Sequence, residues 1–463
     1  MCPPLLPIIL AIFILNSNPL LAGAWKISPS ISVSELYTDN VSLTTPGLAE
    51  EEFVTEISPG LSVTGAGKRV QGGFNYRLQT LSYFKENKRN NIFHQFQSDV
   101  IAELARELLF LDLSASNLQK TIDPEGRAGT NLNAISTNRT GATTVRISPY
   151  LRHVIAQDLE TELRYTKSWV EYDNVQGANN RSEQILASLG NNLKKGKTLE
   201  WDLNYRSDKN IFSNTGNVEF NTASIDLMYS LRARVKLLAE GGYERNSFES
   251  SSPLSDQEGT IWNVGIAWIP SSRSFFEAKL GERFFGKTYS LKLQNRWRRT
   301  MVTLDYTEDV VTNASRSLLK PDTVDGLVEQ ETNTSLLNNE VFLRQRSSVN
   351  IDVSLAKSNL LFEVFNEQRK FQLTLEKEKN FGGRVLWNWP LSLYNQISLN
   401  ALWNRVEFRG TDNEYKHKGI GINLTSQLGR SLSSMISYNY TKRDAKNINN
   451  SYAENRVGVK ATW

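Results

Sequence analysis

From Trp25 onward, apolar and polar residues alternate with a period of two, the spacing that puts successive side chains on opposite faces of a β-strand. The pattern is sharpest at the end of the chain. In Tyr452–Trp463 (YAENRVGVKATW), Ala453, Val457, Val459, Ala461 and Trp463 fall on one face, and Glu454, Arg456, Gly458, Lys460 and Thr462 fall on the other. Further upstream, Leu159, Leu163, Tyr165 and Trp169 alternate with Glu160, Glu162, Arg164 and Ser168. Likewise Leu199, Trp201, Leu203 and Tyr205 alternate with Glu200, Asp202, Asn204 and Arg206. One face of each segment is consistently apolar.

The connections alternate in length as well. Tight links near 64–68, 156–158, 192–197, 231–234, 270–273, 298–299 and 429–431 interleave with longer polar stretches. Those stretches are 38–53, 85–91, 119–143, 173–182, 207–218, 246–260, 308–347, 408–414 and 443–451. A meander with short turns at one rim and long loops at the other has this rhythm. Two regions carry a competing signal. Asp99–Leu113 (DVIAELARELLFLDL) is rich in helix formers, yet Val100, Ala102 and Leu104, then Leu109, Leu111 and Leu113, fit two strands around a turn. Strands are preferred there because helix propensity is a weak bias. Glu340–Lys370 is ambiguous in the same way.

A soluble sandwich also alternates, but it hides its apolar faces in a dry core and breaks into smaller domains. Here no Pro/Gly/Ser-rich linker interrupts the run of strands, and charges repeatedly occupy the second face. The predicted fold class is therefore all-β: a single closed transmembrane antiparallel up-and-down β-barrel of about 22 strands, an even number between 18 and 22. Turning Arg456 or Lys460 toward lipid at mid-depth would cost about 2–4 kcal/mol each, so the Val457, Val459, Trp463 face is expected to meet lipid. Trp169, Trp201, Trp268, Trp403, Tyr438 and Tyr440 lie near predicted strand ends, where amphipathic rings suit the headgroup level.

Residues 1–24 form an apolar run, Leu5–Leu15, followed by Ala22-Gly23-Ala24, with no Lys or Arg before Lys26. This reads as a secretory signal peptide cleaved before Trp25, leaving 25–463 as the barrel; the run is too short to span a bilayer as an anchor. The single cysteine is Cys2, so the expected mature chain has no disulfide or thiolate metal chemistry. Lys and Arg total 53 against 49 for Asp and Glu, a balance that gives no argument for nucleic acid. Together these features point to a Gram-negative outer membrane.

Three stretches near the start are distinctive: Ile27-Ser28-Pro29, Leu36-Tyr37-Thr38-Asp39-Asn40-Val41, and Glu56-Ile57-Ser58-Pro59-Gly60-Leu61-Ser62-Val63. In these the chain resembles the outer-membrane proteins associated with the PEP-CTERM/exosortase system. That resemblance implies a large outer-membrane barrel accompanying exopolysaccharide and sorted-protein export, and it carries over no catalytic or binding residue. Asp39 and Asn40 read as an Asx-type turn opening the first long loop. The terminal Val457, Val459 and Trp463 look like the signal by which the barrel-assembly machinery recognises its clients.

Neither G-x-S-x-G nor H-E-x-x-H occurs, and of the three histidines, His94, His153 and His417, His153 at a strand edge and His417 among lysines read as rim or lumen residues. The Gly65-Ala66-Gly67-Lys68-Arg69 string mimics part of a phosphate loop but lacks its first Gly and its Ser/Thr, and reads as a turn. No enzyme activity, cofactor or metal is expected. The residues expected to line the lumen are Arg146, Arg152, Glu160, Glu162, Arg164, Glu200, Asp202, Arg206, Arg456 and Lys460. Their mixed signs suit either a weakly selective aqueous path or a lumen filled by paired charges. The segments 119–143 and 308–347 are the candidate constrictions or lids.

The leading expectation is a conduit or gated pore for exopolysaccharide or surface-protein export. The alternatives are a filled barrel that binds partners through its outer loops and, less favoured, a lipid or glycan hydrolase. Expected partners are outer-membrane lipid and lipopolysaccharide, the barrel-assembly machinery, and polysaccharide or envelope export components, with no nucleic acid.

Overall fold

The computed structural model describes residues 23–127, 129, 133–156, 158–174, 179–191, 198–213, 216–251, 257–313, 315, 323–324, 327–328, 339–408, 410 and 413–463. The expected signal peptide thus lies almost wholly outside the described residues. Strands β1 to β5 are Gly23–Thr38, Glu52–Gly67, Val70–Tyr83, Asn91–Ala105 and Leu109–Thr121. Strands β6 to β10 are Arg139–Ala156, Leu159–Tyr172, Asn180–Gly190, Leu199–Phe212 and Val218–Arg232. Strands β11 to β15 are Val235–Ser247, Glu258–Ser271, Ser274–Arg283, Gly286–Arg296 and Thr300–Thr312. Strands β16 to β22 are Val341–Ser354, Asn359–Phe371, Lys377–Pro390, Asn395–Phe408, Asn413–Gln427, Ser433–Ala445 and Tyr452–Thr462.

Each strand pairs antiparallel with its sequence neighbours in one 22-stranded sheet. The sheet closes where β1 meets β22, from Ser32↔Thr462 to Thr38↔Arg456. Closure satisfies backbone groups that an open edge would leave bare in lipid. Outside faces carry the apolar half of the alternation: Val459 is 54% exposed, Leu163 50%, Trp268 49% and Ile420 48%. In a soluble protein such exposure would be costly; here it forms the band that faces lipid. Val457, Val459 and Trp463 are exposed on the outside, while Arg456 and Lys460 alternate onto the inner face.

Asp99–Leu113 is the β4–β5 hairpin, turning at 106–108, and Glu340–Lys370 contains the β16–β17 hairpin. Several stretches that read as loops are instead strand at their ends. β5 runs on to Thr121 and β6 resumes at Arg139, which shrinks the loop at 119–143 to 122–138. β9 continues to Phe212, and β8 begins at Asn180. The wall rises past the apolar band into water, where both faces are polar and the alternation that marks a strand fades. Two further connections at the long-loop rim are 284–285 and 372–376. At the first, Gly286 takes φ +112°, a conformation for which a side chain is a penalty.

Proline leaves its mark on the ladder. The β2–β3 register runs through Ile57↔Thr80 and resumes at Gly60↔Arg77, skipping Ser58 and Pro59. The β6–β7 register likewise skips Ser148 and Pro149. Proline has no N–H to donate, so each of these strands gives up part of its pairing on one side. The buried apolar side chains form small clusters rather than one core. Val41, Val54, Leu81 and Tyr83 make one, Leu43, Ala134 and Tyr452 another, and Val406, Phe408 and Tyr415 a third. All three sit at the long-loop ends of the strands, where loops fold inward.

Candidate functional site

Strand register carries all ten candidate lumen residues onto the inner face. On one wall Arg152 lies opposite Glu162, Tyr150 opposite Arg164, and Ser114 opposite Arg146. Arg152 bonds Glu162 at 2.8 Å and approaches Glu160 at 3.4 Å, while Arg164 bonds Glu162 at 2.9 Å. Arg164 also lies 3.8 Å over the ring of Tyr150, which stacks on Phe110 at 4.9 Å. Glu200, Asp202 and Arg206 sit on β9; Arg206 is paired with Asp208, and Lys236 reaches Glu200 at 3.4 Å. On β22, Arg456 approaches Glu454 at 3.8 Å, and Lys460 lies two inward positions further on.

A second and denser ladder was not picked out from sequence. Arg344 and Arg369 both bond Glu367, at 2.9 and 2.7 Å; Arg346 bonds Glu363 at 3.2 Å, and Arg384 bonds it at 2.6 Å. Arg369 also approaches Glu378 at 3.4 Å. These groups come from β16, β17 and β18, whose cross-strand register places Arg344 opposite Arg369 and Arg346 opposite Glu367. Glu367 is only 2% exposed, so removing it would leave cations stranded in a poorly solvated wall. The available signal was the run of alternating charges in FLRQRSSV and FEVFNEQRKF, which the helix-like composition of that region obscured.

Between the two ladders the wall turns acidic. Glu200, Asp202, Asp226 and Glu240 line a recess of about 170 Å³ with Asn263 and Lys279 among its neighbours. Asn204 donates to Asp226 at 2.9 Å, and Asn263 donates to Glu240 at 2.8 Å. Among the described residues, no group of three or more His, Cys, Asp or Glu is placed to hold a metal ion.

Of the 122–138 connection, residues 122–127, 129 and 133–138 are described, and they lie at the outer mouth. Leaving β5, the chain crosses inside the rim toward β20 and β21. There the Arg443 guanidinium donates to the carbonyls of Pro124, Glu125 and Gly126 at 2.8–2.9 Å and lies 3.8 Å over the Tyr415 ring. Asn450 donates to the Glu125 carbonyl at 2.8 Å, and Asn413 donates to the Glu125 carboxylate at 2.6 Å. On its return the loop is tied to the first long loop. Ile135 N–H donates to the Val41 carbonyl at 2.8 Å, and Arg127 donates to the Leu43 carbonyl at 3.2 Å. Tyr83 donates its hydroxyl to the Asn133 carbonyl at 3.0 Å. Ala134 and Ile135 then pack into the clusters around Leu43 and Val41. The other candidate lid, 308–347, is strand at both ends, and most of its connection lies outside the described residues.

Asp39 and Asn40 do open the first loop, and they do more than turn it. Asn40 accepts from Thr44 N–H at 2.8 Å and donates to the carbonyls of Thr44 and Ala453. Asp39 accepts from the backbone and the side chain of Asn455, both at 2.7 Å. Thr38 donates to Glu454 at 2.9 Å. The distinctive Thr38-Asp39-Asn40 stretch therefore clasps β22 at the closure seam. At the rim beside it, Lys85 bonds Glu51 at 2.8 Å; that hydrogen bond lowers the Glu51 carboxyl below its usual range and raises the Lys85 ammonium above its own.

The histidines do not converge. His94 faces outward on β4 against the Tyr76 hydroxyl at 2.9 Å, His153 faces outward on β6, and His417 faces inward on β20 opposite Asn404 and Arg443.

No protein-family profile and no curated protein sequence matches the chain. Among solved structures it is similar to the siderophore receptor PirA from Acinetobacter baumannii, at 8% identity over 94% of this chain and 80% of that one, with a TM-score of 0.51. PirA from Pseudomonas aeruginosa aligns at 8% identity over 95% and 80% of the two chains, with a TM-score of 0.49. Identity this low speaks to fold alone, and the fold is that of a large Gram-negative outer-membrane β-barrel.

Proposed function

We propose that the protein is a gated polar conduit of the outer membrane, serving export of exopolysaccharide or of surface proteins sorted by the PEP-CTERM system. One observation carries the gate: the described residues of the 122–138 loop lie at the outer mouth, fastened at the far side mainly by one side chain, Arg443. The far end of the strap is held by polar side-chain bonds alone, so that end can be released while the return end stays packed on the first loop and the barrel ladder is undisturbed. Beneath it the wall is polar and its charges are largely paired along the wall itself, which suits a wet path for a neutral or mixed-charge polymer. The cargo class rests on the resemblance of the 27–63 region to barrels of that export system.

Planar-bilayer recording of residues 25–463 tests the gate. Wild type is expected to rest at low conductance with brief openings, and a form with 124–135 replaced by a short Gly/Ser linker is expected to hold a larger, stable conductance. Equal conductance of the two forms would remove the gate. Silence from both, with the barrel folded, would instead favour a scaffold whose outer loops hold partners.

A further inference from the structure

The outer faces of two walls differ in how far their charges are balanced just above the apolar band. Across β7 to β10, Lys167 lies opposite Glu183, Glu183 opposite Lys209, and Lys209 opposite Glu219, so signs alternate from strand to strand. The contacts close at 2.9 Å for Lys167–Glu183 and 2.6 Å for Lys209–Glu219. Across β19 to β21 the register is mixed: Lys416 faces Asp444 and Glu407 faces Glu414, but Arg405 also faces Lys416 and Lys418 faces Lys442, cation against cation. Like charges directly opposite on one sheet face are destabilising unless something neutralises them.

The neutralisation available on this wall is partial. Glu414 and Glu407 bond Arg405 at 2.8 and 3.1 Å, Glu414 lies 3.8 Å from Lys416, and Asp444 bonds Lys442 at 2.9 Å. Among the described residues Lys418 has no acidic partner within 4 Å, nor has Lys379 on the adjacent outer face of β18. Lys416 and Lys418 are both exposed.

The height of the patch is set by what lies below it. On β20 the next outward residues are Ile420, Ile422 and Leu424, each more than a third exposed. On β19 Trp403 sits opposite Lys418, and on β21 Tyr440 and Tyr438 follow Lys442. Apolar side chains, then aromatic rings, then unbalanced cations is the order of chemistry in a leaflet running from acyl chain to anionic headgroup. The long-loop rim is the outer side of such a barrel, so the leaflet is the outer one.

We propose that the outward patch of Arg405, Lys416, Lys418 and Lys442 binds the phosphates of a phosphorylated glycolipid in the outer leaflet, with Lys418 and Lys442 clamping one phosphate between them and Trp403 beside Lys418. An intervening phosphate turns the like-charge pair into a favourable cation–anion–cation bridge, and the acyl chains continue down the Ile420–Leu424 face. The site is independent of the lumen and of the gate.

The test titrates the full barrel in detergent with diphosphoryl lipid A and reads bound lipid by native mass spectrometry. Wild type is compared with Lys418→Gln/Lys442→Gln and with Lys167→Gln/Lys209→Gln on the sign-alternating wall. At about 1 kcal/mol per cation, the first variant is expected to bind about thirty-fold more weakly, and the second to match wild type. Dephosphorylated lipid A is expected to bind wild type as weakly as diphosphoryl lipid A binds the first variant. Should the double variant fail to fold, Lys418→Gln alone is expected to lose about five-fold. Unchanged affinity in the Lys418 variants, an equal loss on the control wall, or equal binding of dephosphorylated lipid would overturn the proposal. Displacement of the lipid by inorganic phosphate at matched concentration would also overturn it, by making the patch a free-anion site.

Discussion

Arg443 shows how one side chain can set the state of a mouth this wide. Its guanidinium presents N–H donors in a rigid fork, and the two Nη groups bond three consecutive carbonyls of a loop that arrives from the other side of the closure seam. Asn450 still reaches the Glu125 carbonyl, so losing the fork removes the Arg443 bonds to Pro124 and Gly126 and one of those to Glu125. Arg443→Ala is therefore expected to free the far end of the 122–138 loop at a cost of about 1–3 kcal/mol while leaving the barrel folded. The check is twofold: trypsin added from outside should gain access to Arg127, and single-channel conductance should rise. Arg443→Lys keeps the charge but not the fork and should fall between the two. A loop as protected in the Ala variant as in wild type would show that the ties through Asn413, Asn450 and Tyr83 suffice. Arg443 was legible in sequence only as one more charge near a strand end, because its partners lie more than three hundred residues away.

At the scale of elements, hairpin geometry is decided by backbone as well as by pattern. The β13–β14 hairpin turns through Phe284 and Phe285 into Gly286 at φ +112°, with nothing within 4 Å of where a Cβ would sit. Any cost of a side chain there is conformational rather than steric crowding. Gly286→Ala is expected to lower unfolding stability by about 1–2 kcal/mol. A shift in the urea midpoint of the barrel in lipid vesicles, with unchanged slope, would report it. Alternation found the strands where one face meets lipid and the other the lumen, including β4 and β5, whose helix-forming composition pointed elsewhere. It failed toward the outer rim, since polarity on both sides of β5, β8 and β9 erased the contrast. It also missed the connections 284–285 and 372–376.

For the whole molecule, closure is the feature on which lipid compatibility and lumen both depend. The seam is held by seven register pairs and by Thr38, Asp39 and Asn40 reaching across to β22. Ser32 and Thr462 face each other there, next to the pair in which Ile31 and Trp463 exchange both backbone hydrogen bonds. They therefore occupy a closely spaced, non-hydrogen-bonded site suited to a cross-link. In residues 25–463, which contain no cysteine, Ser32→Cys/Thr462→Cys is expected to form an intramolecular disulfide only after folding, seen as a mobility change reversed by reductant. Ser32→Cys/Lys460→Cys, shifted by two residues, should not; efficient cross-linking of the shifted pair would mean a different shear. The chain alone determined that it is an all-β barrel with an apolar outside and a charged inside, because a period of two and the cost of a charge in lipid are local properties of each strand. Tertiary structure alone decided which charges pair, which loop crosses the mouth, and why Thr38-Asp39-Asn40 stands out. Each of those depends on which strands become neighbours when the sheet closes, and closure brings together residues from opposite ends of the chain.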